Sequence, residues 1–248
     1  METSVDYNGL PFDVRPDFAD THSRFWRRLE SPGSWWTGKE RVAMAREVRE
    51  AARCPLCQKR KEALSPYGIE GQHRSASSEL PAAAIDVVHR ISTDASRLTR
   101  SWLEGTLEQG ISAEQYVEIV GTVVSVLSTD AFCRAIGASL HPLPEPRDGE
   151  PDRYRPASAS QEEAWVPVVP LDNASTPEAD LWPAGRTSWV VRAMSLVPEE
   201  VRTLKDLSGA HYLPMADVGN PATSRDQLSR SQIELIAGRV SALNECFY

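Results

Sequence analysis

Nine of the 18 prolines in this chain of 248 residues fall between positions 141 and 187, at 142, 144, 146, 151, 156, 167, 170, 177 and 183. Proline lacks a backbone N–H and clashes with the preceding helical turn, so this stretch cannot stay helical for long. It also carries Trp165, Val166, Val168, Val169 and Trp182, which a solvated linker would not. It is expected to lie extended over the body and to bridge two helical halves. The chain then divides into an irregular, ring-rich arm (1–36), a first helical half (37–140), the proline-rich connector (141–187) and the start of a second helical half (188–248). The arm is expected to pack through Phe12, Phe18, Phe25, Trp26, Trp35 and Trp36.

Periodicity outside the connector is helical. Thr37 and Glu40 form a capping box, in which hydroxyl and carboxylate each satisfy an orphan backbone N–H, and Val42, Ala45, Val48 and Ala52 continue on one face toward Cys54. A second helix is expected over 80–91 with Pro81 in its first position, and a third over 94–108 with a stop at Gly110. Ser112 and Gln115 cap the strongest pattern, with Tyr116, Ile119, Val120, Val123, Val124 and Leu127 in one apolar stripe. It continues through Phe132 and Ile136 to Gly137 and places Cys133 in the core. The β-branched valines keep a strand over 117–127 as the alternative. Pro198 opens a short helix ending at Gly209. Ser224 and Gln227 resemble a further capping box, and Leu228, Ile233, Ile236, Val240, Leu243 and Phe247 hold helical spacing to Tyr248 with no stop signal. The fold class is all-α.

Lys plus Arg is 27 and Asp plus Glu is 35, a net charge of −8. An acidic chain without a basic block is a poor partner for nucleic acid or an anionic membrane. No apolar run approaches the roughly 18 residues of a membrane span, and the N-terminus has no signal-peptide pattern, so a cytoplasmic location is expected. Four cysteines, at 54, 57, 133 and 246, are too few for a disulfide scaffold.

Cys54-Pro55-Leu56-Cys57 is the motif with most chemistry. Two intervening residues let both sulfurs meet across one turn, and Arg53, Lys59, Arg60 and Lys61 would favour the thiolate, the reactive form. The second thiol can then resolve a sulfenic acid or mixed disulfide. Three readings stay open: a redox dithiol, half of a zinc site completed by His73 and His89 or by Cys133, and two inert buried thiols. His73, close to the motif in sequence, is a candidate proton donor. His89 is read as a satisfied, partly buried histidine. Glu118 either faces the thiol site or is solvated.

The segment 232–248 echoes 40–57. At an offset of 192, Cys54 falls on Cys246, Ala45 on Ala237 and Val48 on Val240. This segment, QIELIAGRVSALNECFY, resembles the alkylhydroperoxidase (AhpD-like) branch of the carboxymuconolactone decarboxylase superfamily, where such a helix leads into Cys-x-Tyr-Cys and a His. The resemblance covers about 20 residues and more loosely 37–140, including the run 116–121. It implies an AhpD-like helical bundle, a homo-oligomer and a metal-free, cofactor-free thiol site that reduces peroxides or exchanges disulfides and is recycled by a thiol reductant. It gives Glu234 a proton-relay role and makes Cys246 the first thiol of a second motif. A straight helix puts Glu234 about 18 Å from Cys246, so the relay rests on resemblance alone. The sequence departs from the family in three ways. The second Cys and the His would follow Tyr248, Lys61 stands where the first motif would often have its His, and Val42 matches Glu234. A selenocysteine codon after Tyr248, read as stop, would account for the first departure. The alternative function is a helical scaffold or interaction protein that keeps the fold without catalysis. Lactone decarboxylation ranks below both, because that branch lacks the CxxC.

Overall fold

The helix over Ala113–Ala135 (α6) is the axis on which the rest is assembled. The computed structural model describes residues 4–183 and 185–246; Phe247 and Tyr248, included in the expected last helix, lie outside them. α6 begins with the expected capping box, Ser112 accepting from the amide of Gln115 and Gln115 reaching back to that of Ser112. It ends before Gly137, whose φ of 72° is the left-handed geometry that a residue without Cβ adopts freely. By length and composition α6 could cross a membrane, but most of it is buried inside the protein.

Eight further α-helices are described: α1 (Pro16–Glu30), α2 (Gly38–Ala51), α3 (Pro55–Glu62), α4 (Ala82–Asp94), α5 (Arg100–Glu108), α7 (Trp189–Arg192), α8 (Pro198–His211) and α9 (Arg230–Leu243). No strand occurs among the described residues, and the all-α class stands. α2, α4 and α6 pack mutually, and α8 joins α1 to α6. One core lies among α1, α2, α4 and α6, around Trp26, Leu29, Val42, Met44, Val88, Ile119 and Val123. A second lies among α5–α8 and the connector. Each fully buried aliphatic side chain contributes about 1.5–3 kcal/mol against exposure.

Several expectations need correction. The arm is not irregular: α1 occupies half of it, with Pro16 in its first turn and Phe18, His22, Phe25, Trp26 and Leu29 at helical spacing. Its indoles bind distant carbonyls, Trp26 to Pro142 at 2.8 Å and Trp36 to Gln115 at 3.0 Å. Pro81 caps α4 rather than opening it, and the expected helix over 94–108 is broken by a 3₁₀ turn at Ala95–Arg97 before α5 starts behind the Thr99 cap. The Ser224 box does not form. Ser229 and Gln232 cap α9, which stops at Leu243 with Asn244 as its C-cap and Glu245 at φ 54°. A stop signal was therefore present. Leu235, Ile236, Val240 and Leu243 of α9 are exposed.

The connector is extended, as its prolines require. Ser160 and Val168 exchange both backbone hydrogen bonds, and Val166, Val168, Val169, Leu181 and Trp182 are buried. Arg147 and Arg153 tie it to the backbone of Glu30 and Ser34 at 2.7 and 2.8 Å.

Glu118 is not at the thiol site. It is wholly buried, 3.3 Å from the equally buried Arg41, and accepts from the amide of Trp35 at 2.6 Å. Arg28 and Glu200 form a second ion pair. Two glycines make room for these carboxylates. A Cβ on Gly33 would sit 1.7 Å from Glu118 Oε1, and one on Gly121 would sit 2.1 Å from Glu200 Oε2. Gly121→Ala is expected to lose about 1–3 kcal/mol to overpacking, read as a lowered urea midpoint. Gly105→Ala, on α5 with open space at its Cβ, is expected to hold or gain stability. Equal midpoints for the two variants would contradict this account.

Candidate functional site

Four side chains from three segments converge beside α3. Cys54 is the N-cap of α3, where Pro55 opens the helix, and one turn brings Cys57 to the same side. His73 comes from the segment between α3 and α4, and His89 from the middle of α4. The two sulfurs and one ring nitrogen of each histidine all lie within 4.8 Å of one another. His73 Nδ1 is 3.5 Å from both Cys54 Sγ and Cys57 Sγ, and His89 Nδ1 is 3.3 Å from Cys57 Sγ.

The far nitrogen of each ring is held by a carboxylate. His89 Nε2 lies 2.8 Å from Glu47 Oε2, with both side chains fully buried. His73 Nε2 lies 2.8 Å from Asp86 Oδ1. These bonds put the ring N–H on Nε2 and leave both Nδ1 lone pairs facing the sulfurs. The carboxylates are themselves anchored. Glu47 accepts from Ser75 Oγ and from the amide of Ala76, and Asp86 accepts from Arg60 at 2.7 Å and from the Trp102 indole at 3.1 Å. Although burial opposes it, these donors hold both carboxyls below their ordinary range. On α4, Asp86, His89 and Thr93 share one face by their spacing.

The two thiols differ. Burial pushes Cys54 up, but the amides of Cys57 and Arg74, with His73 and the Cys57 side chain, outweigh it and bring it down to about 6. The Arg74 amide is 3.4 Å from its sulfur. Burial and the neighbouring Cys54 push Cys57 up to about 12. The pair thus carries one thiolate and one thiol at neutral pH. Of the basic residues expected to favour the thiolate, Arg60 reaches the cluster, 3.3 Å from His73. Arg53 pairs with Glu50 and Lys61 with Glu245. Backbone amides do most of what the sequence attributed to side-chain charge.

Neither sulfur is at the surface: Cys54 is 0% and Cys57 3% exposed. A cleft of about 190 Å³, walled by Ala51, Cys57, Gln58, Lys61, Glu62 and Thr93, opens on Cys57, with Cys54 behind it. A larger apolar groove of about 550 Å³, lined by Tyr116, Trp165, Trp189 and Met194 among others, holds no thiol or imidazole.

The sequence-derived residues fall into two groups. Cys54, Cys57 and His73 are together. Cys246 is exposed, and Glu234 is on the exposed side of α9, bonded to Tyr212 and to Arg230 at 2.5 Å. Neither belongs to the cluster. Cys133 is buried elsewhere, 3.9 Å from the Tyr7 hydroxyl. Sequence reasoning named His89 only as an optional ligand and missed Glu47 and Asp86. Asp86 and His89 had one available signal, their placement among Ile85, Val87, Val88 and Ile91 of α4, whereas Glu47, beside Arg46, Arg49 and Glu50, had none. No family model matches the chain, and no curated protein or solved structure matches it.

Proposed function

We propose that this chain is a thiol-dependent oxidoreductase whose Cys54–Cys57 pair cycles between dithiol and disulfide, with a small hydroperoxide as oxidant. The observation that carries the reading is the imidazole shared by two thiols: His73 Nδ1 is equidistant from both sulfurs, and Cys57 also leans on a His89 oriented by Glu47. A thiol beside an imidazole that a carboxylate holds in place is the arrangement of an activated nucleophile. The resemblance of 232–248 to alkylhydroperoxidase-like helices supports the same class.

In the first step the Cys54 thiolate attacks one peroxide oxygen. An S–O bond forms, the O–O bond breaks, and the departing alkoxide takes the proton that His73 accepted from Cys54. Cys57 then attacks the sulfenic sulfur. An S–S bond forms, the S–O bond breaks, and the Cys57 proton leaves through His89 to the departing hydroxide, giving water. The balance is one hydroperoxide and one dithiol consumed, one alcohol, one water and one disulfide formed. An external thiol reductant restores the pair. The buried sulfurs and the narrow cleft favour a small hydroperoxide over a protein disulfide.

The test is peroxide consumption by chelator-treated protein with dithiothreitol as reductant. The parent is expected to turn over, and Cys54→Ser and Cys57→Ser to fall to the uncatalysed background. In Cys57→Ser a dimedone adduct should trap the sulfenic acid on Cys54. Cys133→Ser, away from the cluster, is expected to keep the parental rate. A Cys54→Ser variant as fast as the parent overturns the reading.

A further inference from the structure

We propose that the reduced Cys54, Cys57, His73 and His89 set is a zinc site. Tetrahedral zinc with sulfur at about 2.3 Å and nitrogen at about 2.0–2.1 Å places each S and N about 3.6 Å apart. Three of the four sulfur–nitrogen distances here are 3.5, 3.5 and 3.3 Å, and the fourth, Cys54 to His89, lies within 4.8 Å. Equal distances from His73 Nδ1 to two sulfurs, which the shared hydrogen bond gives, are also the distances a central ion between them would give. Two thiolates balance the charge of one divalent cation and two neutral imidazoles complete the tetrahedron, the donor set zinc prefers.

The surroundings supply a second, independent observation. Metal-bound histidines donate their other N–H to a carboxylate or carbonyl, which fixes the ring and raises its basicity. Both histidines do so here, to Glu47 and Asp86 at 2.8 Å. The Arg74 amide donates to Cys54 Sγ. Fifteen residues separate Cys57 from His73 and fifteen separate His73 from His89, so beyond the CxxC pair no short motif announces the two histidines. The ion would join α3, α4 and the segment between them.

Zinc binding does not depend on the peroxide reading; its redox consequence does. A disulfide removes two of the four ligands, so ion and disulfide exclude each other. Oxidation of the zinc-bound dithiolate by one hydrogen peroxide and two protons yields the disulfide, two waters and free Zn2+.

The test uses the whole chain, reduced, stripped with chelator under anaerobic conditions and titrated with Co2+ alone. One Co2+ per chain is expected, with the intense d–d bands of tetrahedral cobalt and thiolate charge transfer in the near ultraviolet, both abolished by one equivalent of Zn2+. Cys54→Ser and His73→Asn should lose these bands, and Cys133→Ser should keep them. Asp86→Asn should weaken binding by about 10–100-fold, the range for a lost outer-shell carboxylate. Circular dichroism reports folding throughout, and should His89→Asn unfold, His73→Asn on its loop still gives the answer. A pale octahedral spectrum, or undiminished binding in both Cys54→Ser and His73→Asn, overturns the zinc site. Hydrogen peroxide added to the zinc form should release one Zn2+ per disulfide to a chromogenic chelator. Absent cobalt binding with Cys54-dependent peroxide turnover would leave the oxidoreductase reading standing and remove the zinc. Tetrahedral cobalt with no peroxide turnover by the stripped protein would do the reverse.

Discussion

Lowering the pH from 7 to 4 is expected to strip several kcal/mol from the folding free energy, because one buried and one half-buried histidine resist protonation. His22 of α1 and His211 of α8 face each other with ring nitrogens 2.7 Å apart, among Tyr7, Phe18 and Phe132. Burial, with the charge of His211 and His141 nearby, lowers His22 to about 3. Burial, with Arg15, lowers His211 to about 4 against the smaller pull of Asp17. An unfolded histidine titrates near 6.5. Between 6.5 and about 4 these two histidines therefore bind up to two more protons in the unfolded chain than in the folded one, a difference that Glu118, raised to about 7 by burial, offsets in part. Stability is complete above 6.5 and falls as pH drops, by up to roughly 1.4 kcal/mol per pH unit for each group. Urea midpoints at pH 7 and 4.5 measure it. His211→Gln should flatten the slope by about one proton. A midpoint that does not move between the two pH values would sink the account.

Glu47→Ala is expected to be the most destabilising single change near the site. Its carboxylate accepts three bonds in a buried place, from His89 Nε2 at 2.8 Å, Ser75 Oγ at 2.7 Å and the Ala76 amide at 2.8 Å. Removing a buried carboxylate that accepts three hydrogen bonds leaves three donors unpaired, at about 1–3 kcal/mol each. At roughly 2–4 °C per kcal/mol for a chain of this size, Tm should fall on the order of 10 °C. The change should also loosen residues 73–76, read as faster amide exchange there. Glu47→Gln, which keeps the volume and one acceptor oxygen, should lose less. A Tm within about a degree of the parent for Glu47→Ala would show that α2 does not hold the site.

The local elements were legible because their causes are local. The boxes at Thr37 and Ser112 need only residues three apart, and both form as read. The failures are also physical. Ser224 has the right spacing, but Arg225 is drawn away to the backbone of Gly209 and Tyr212 and to Asp17, and the helix starts five residues later. The rings of α1 were read as an irregular arm because aromatic anchors occur in both states, and only their burial against α2, α6 and α8 makes them a helix face.

The chain itself determined the helical class, the extended connector and the pairing of two thiols at one helix start, since each follows from neighbours along the backbone. Tertiary structure decided which imidazoles those thiols meet. His73 and His89 reach them only because α3 packs on α4. Glu47 and Asp86 point the rings only from within that packing. Contacts between residues far apart in sequence are fixed by the shared core rather than by spacing, which is why the sequence alone favoured a redox pair and left a metal site and inert thiols open beside it.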